Sequence, residues 1–142
     1  VLLAPLTVTS ERMPRMLNQR LERRGYYERK ERFGDEGMGF GKFLEKEEIG
    51  RYVPSKVTDI LQTIPGVQVR GESVSMRRGC TPAIFLDGVR WRMGSVSLND
   101  IISISSVVAI EVYKGSVMPA QYMHFSEQGG IPCGAIAVWT GI

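Results

Sequence analysis

An α+β fold, a small mixed β-sheet with short helices behind an N-terminal arm and helix, is what the order of periodicities in this sequence predicts. Two observations carry it. Short β-patterned runs punctuated by turn residues fill the chain from Val67 onward, and stretches with helical spacing precede and interrupt them. The 142 residues suffice for one compact domain and are too few for two separate cores. The composition divides them into residues 1–44, an extended arm, an amphipathic helix and a Gly/aromatic-rich loop, and residues 45–142, the α+β domain.

Leu6-Thr7-Val8-Thr9 is a short β-prone run after Pro5, suited to an edge strand or an arm that adds to a sheet. Met13, Met16, Leu17 and Leu21 recur at helical spacing, and Gly25 supplies a left-handed stop. From Tyr26 to Lys42 the sequence reads as an irregular loop with aromatic anchors. Tyr26, Tyr27, Phe40 and Phe43 stand out there as residues able to bury area against a partner. Glu45–Tyr52 is a helix candidate closed by the Val53-Pro54 step. Val57, Ile60, Leu61 and Ile64 define a stronger helix, with Ser55 placed to cap it and Pro65-Gly66 to end it.

Val67 and Val69 alternate with polar residues, as does Ser73–Met76, and Ala83–Leu86 is a buried-looking run closed by Asp87-Gly88, a strong hairpin signal. Ser97–Ile101 resembles a capped helical turn. Val107–Tyr113 and Ala135–Thr140 are the last two strands. Ile84/Leu86, Val108/Ile110/Val112 and Ile136/Val138 are each expected to share a strand face.

The order of these phrases is similar to the plug domain of TonB-dependent outer-membrane receptors. Val57-Thr58-Asp59-Ile60-Leu61 through Ile64-Pro65-Gly66-Val67 resembles the plug's "DLL..IPGV" helix and turn, and Val74-Ser75-Met76-Arg77 its next strand. Ala83-Ile84-Phe85-Leu86-Asp87-Gly88-Val89 resembles "VFLDGV", and Ile110-Glu111-Val112-Tyr113-Lys114-Gly115 resembles "IEVLRG". Ala120-Gln121-Tyr122 stands where "ALYG" follows, and Gly134–Thr140 resembles the closing "GGVINIxT" strand. The resemblance implies a plug-like fold in the cell envelope: periplasm, outer membrane or extracellular space.

An oxidising compartment in turn favours a Cys80–Cys133 disulfide over two buried thiols; each cysteine directly precedes a predicted strand. The resemblance also sets Leu6–Thr9 beside the TonB box, another short β-prone segment. Because the chain stops at Ile142, just past the last plug strand, the first expectation is a stand-alone interaction module. Copies of itself would join by N-terminal strand addition into an oligomer or filament. The alternative is a receptor gate for siderophore or nutrient uptake, whose partners are an outer-membrane barrel and a TonB-like periplasmic protein.

Other chemistry fits poorly. A net charge of +3 with acidic residues among the basic ones lacks a nucleic-acid footprint. Gly37–Lys42 is not a phosphate loop, because Glu36 stands where the first glycine is needed and Phe43 where the hydroxyl is needed. His124, the only histidine, leaves no metal cluster and no base for a nucleophile, so no catalytic residue, cofactor or metal is expected. Arg20, Arg23, Arg24, Arg29, Lys30 and Arg32 interleave with Glu22, Glu28 and Glu31, which predicts a salt-bridged surface, or failing that an interface to an acidic partner.

Overall fold

The computed structural model describes residues 18–76, 79–92, 97–115, 117–123 and 133–141. The N-terminal strand candidate Leu6–Thr9, the helical positions Met13, Met16 and Leu17, Arg77 and His124 lie outside them. A five-stranded mixed sheet is ordered β1 (Gly41–Glu45), β6 (Val107–Lys114), β7 (Gly134–Thr140), β4 (Ala83–Leu86) and β5 (Val89–Trp91). β7 runs parallel to β4 and antiparallel to β6, and the two outer pairings are antiparallel. A separate hairpin joins β2 (Gln68–Arg70) to β3 (Ser73–Ser75).

The two faces of the sheet differ in chemistry. On one, Ile84, Ile110, Val112, Ile136 and Val138 form an aliphatic layer. Ile49 of α3 (Lys46–Arg51), Val57, Ile60 and Leu61 of α4 (Val57–Leu61) and Leu98 of α5 (Leu98–Ile101) cover it. The other face is built from Phe43, Phe85, Tyr113, Trp139 and several alanines. Leu21 of α1 (Gln19–Arg23) and Tyr26 and Phe33 of α2 (Tyr26–Phe33) close over it.

α2 corrects the expected irregular loop. Tyr26, Arg29 and Phe33 are its buried residues, spaced i, i+3 and i+7 on one helical face. An arginine in the middle of that stripe interrupts the apolar period that would mark a helix in the sequence. Gly25, at φ 76°, is the expected left-handed stop of α1, and α2 begins directly after it. The boundary expected between residues 44 and 45 falls inside β1, all five residues of which pair with β6.

α4 is capped from within. The Asp59 carboxylate accepts from the backbone N–H groups of Ser55 and Lys56 at 3.0 and 3.3 Å, so Ser55 is bonded through its amide and is not the expected side-chain cap. Ser97 does cap α5, its Oγ accepting from the Asn99 N–H at 3.1 Å. Asp87 and Gly88 take φ 51° and 89°, the two positive values a type I′ hairpin requires. The Asp87 carboxylate also reaches across to β7, accepting from the Thr140 N–H at 2.8 Å and its hydroxyl at 2.6 Å.

Val108 is a second correction. The register of β6 against β7 shifts between Val107 and Ala109. The irregularity turns Val107 toward the aliphatic layer and leaves Val108 half-buried against the aromatic one. Ile110 and Val112 keep the expected face. Truncation should therefore separate two residues that the sequence places together. Ile110→Ala should lower stability by about 3 kcal/mol, whereas Val108→Ala should lose about 1 kcal/mol, measured from urea midpoints at constant slope.

Candidate functional site

Glu111 is fully buried at the centre of β6, on the aromatic face. A carboxylate there is costly to desolvate unless it is paired and hydrogen-bonded. It receives donors from four separate pieces of chain. Arg29 of α2 forks onto both oxygens, Nε to Oε1 and Nη2 to Oε2, each at 2.8 Å. Tyr113 of β6 donates to Oε1 at 2.6 Å. Oε2 accepts from the Tyr122 hydroxyl at 3.2 Å and from Trp139 Nε1 of β7 at 2.6 Å. Arg29 also donates to the Arg24 carbonyl, and its guanidinium lies over the Tyr122 and Trp139 rings at 5.4 and 5.6 Å.

This environment moves its titratable neighbours. Burial, opposed and outweighed by the hydrogen bond and charge of Glu111, leaves the Arg29 guanidinium above its ordinary value. Burial first, and the nearby Glu111 charge second, push the Tyr113 and Tyr122 phenols well above 10.0. Tyr26 is raised by burial and then by Glu45. These groups are protonated and committed to the interior, which leaves no nucleophile or general base among them.

The predicted interaction residues divide. Tyr26 is fully buried and Phe43 nearly so; with Phe33 and Tyr113 they form edge-to-face contacts at 5.6–5.7 Å, so they anchor the domain's own core. Tyr27 is half-buried and its hydroxyl accepts from the Asn18 N–H at 2.9 Å. Phe40 alone among the described candidates is open to solvent, at 44% exposure. Cys80 and Cys133 form a disulfide across 53 residues with Cα atoms 6.3 Å apart, joining the chain just before the adjacent parallel strands β4 and β7. By loop length alone such a bridge stabilises by about 4 kcal/mol in the chain-entropy account.

The expected salt-bridged surface is another correction. Arg29 pairs with Glu111 and Lys30 with Glu45. Among the described residues, none of Arg20, Arg23, Arg24 and Arg32 forms an ion pair with Glu22, Glu28 or Glu31. Sequence reasoning missed Glu111 altogether. The available signal was that β6 is apolar on both faces, so a carboxylate within it has to meet a cation.

The model of the TonB-dependent receptor plug domain matches residues 42–123, more than half of the sequence. The chain belongs to the TonB-dependent receptor plug family. Membership assigns this plug to the cell envelope.

Solved structures agree on the fold. The ferric-catecholate import receptor Fiu from E. coli K12 matches 71% of this chain at 24% identity, with a TM-score of 0.54. A mutant of the ferric enterobactin receptor PfeA from Pseudomonas aeruginosa matches 80% at 21% identity and 0.58, and the alcaligin receptor FauA from Bordetella pertussis 72% at 17% and 0.56. The plug corresponds to only 14–18% of the length of those receptors. No curated protein matches it by sequence. The family match begins at Lys42, so α2, which carries Arg29, precedes it while Glu111 lies within it.

Two outcomes follow from the network. Arg29→Met leaves a buried charge uncompensated and should lower stability by about 3–5 kcal/mol. Combining it with Glu111→Leu should lose clearly less than the sum of the two single changes in a double-mutant cycle of urea unfolding. For pH, unfolded tyrosines ionise near 10.0 while the folded Tyr26, Tyr113 and Tyr122 keep their protons. Their contribution is thus intact below that pH and falls above it, by about 1.4 kcal/mol per pH unit for each tyrosine. The tyrosinate absorbance of these three should appear only together with loss of tertiary circular dichroism, and Tyr113→Phe should make the decline shallower.

Proposed function

We propose that this plug acts as the gate of an outer-membrane uptake receptor of the siderophore or nutrient class, working through protein contacts and not as an enzyme. Membership of the plug family carries the proposal. The likeness in fold to Fiu, PfeA and FauA, whose descriptions name ferric-catecholate, ferric enterobactin and alcaligin, supports the choice of ligand class. The partners are then an outer-membrane barrel around the plug and a TonB-like periplasmic protein, with siderophore-type ligand on the barrel's outer side. The plug-family match and the likeness in fold to uptake receptors favour this reading over self-assembly; the strand candidate Leu6–Thr9 lies outside the described residues.

The construction of the domain suits a gate. Both faces of its sheet are covered by its own helices, so it is a rigid insert able to enter and leave a barrel without unfolding its core. Added to a receptor barrel lacking its own plug in a planar bilayer, the 142-residue chain should reduce the open-pore conductance. In light scattering it should run as a single 15.9 kDa species. Unchanged conductance together with large ordered assemblies would reverse the choice and restore strand-mediated self-association.

A further inference from the structure

A second feature lies on the helical cover and shares Arg29 with the buried network. α1, α2 and the turn Met118–Gln121 enclose an open cleft of about 460 Å³. Arg23, Arg24, Arg29 and Arg32 line it, against Glu28 as its one acidic residue. Arg29 is neutralised by Glu111, so once Glu28 is also counted the lining keeps two net positive charges. Arg23 and Arg32 are exposed and have no ion pair among the described residues. Arg24 is held in place, its guanidinium 6.0 Å from the centre of the Trp139 ring and close against Gly88.

We infer that this cleft binds a phosphate group. One carboxylate saturates one guanidinium, as Glu111 does with the fork of Arg29, and three further arginines around one cavity exceed what a single carboxylate uses. A phosphomonoester offers three terminal oxygens and about two negative charges, matching both the number of spare guanidiniums and the net charge of the lining. Gly25 contributes by its lack of a side chain: a Cβ there would stand 2.9 Å from Arg29 Nη1, in the floor of the cleft.

The phosphate can reside on a soluble metabolite or on a lipid headgroup, and the two sources are separable. Inorganic phosphate and then glycerol 3-phosphate, titrated into the 142-residue chain, should give saturable amide shifts centred on Gly25, Ala120 and Gln121. Arg23→Gln combined with Arg32→Gln should weaken binding about a hundredfold, the loss of two charge-assisted contacts at about tenfold each. Arg20→Gln, on α1 but outside the cleft, should stay within about twofold, since a distant exposed charge is largely screened. Flotation with phosphatidic acid vesicles but not phosphatidylcholine vesicles, lost in the double variant, would assign the phosphate to lipid; soluble binding without flotation would assign it to a metabolite. Unsaturable shifts, or equal weakening by Arg20→Gln, would mean diffuse charge attraction and overturn the inference.

Discussion

The charge of Glu111 in the middle of β6 is the constraint around which the rest of this plug is arranged. Buried without exposure, it must be matched, and the match is assembled from α2, β6, the Ala120–Tyr122 turn and β7. None of these pieces can move far without taking a donor away from the buried carboxylate, and displacing α2 would leave its charge unpaired. Replacing such a pair with well-packed apolar residues is often neutral or stabilising, so the value of the network lies in geometry. It dictates where α2 sits and turns the aromatic face of the sheet into a single registered layer.

That arrangement explains the different characters of the two faces. The aliphatic side is held by non-directional burial of its residues beneath α3, α4 and α5. The aromatic side is directional, with edge-to-face rings and five hydrogen bonds converging on one carboxylate. The proposed gate role requires a domain that keeps its shape while its surroundings change. A directional layer on one side, together with a disulfide joining the chain before β4 and β7, supplies that rigidity.

Much of the frame was legible along the chain because it depends on neighbours in sequence. β4, β6 and β7 announce themselves as apolar runs, the first two closed by Asp87-Gly88 and Lys114-Gly115. The helix at Val57–Leu61 is written in a simple i, i+3, i+4 stripe. α2 was illegible because its stripe contains Arg29, which counts as apolar-facing only once Glu111 is known to lie beneath it, 82 residues away. Likewise the basic run looked self-neutralised, since glutamates alternate with arginines in sequence. On the folded surface Glu22, Glu28 and Glu31 do not pair with them, and Arg23, Arg24 and Arg32 open instead on a cleft.

By itself, then, the sequence determined the local events: strand and helix periods, the positive-φ Asp87-Gly88 turn and the ordered phrases that mark a plug. These follow from backbone sterics and side-chain spacing within a few residues. Only the tertiary structure decided which side of β6 Val108 occupies, that Tyr26 and Phe43 face inward, and that one glutamate and one arginine meet beneath the aromatic layer. Those outcomes depend on strand register and on the need to compensate a buried charge, and both are settled between segments far apart in the chain.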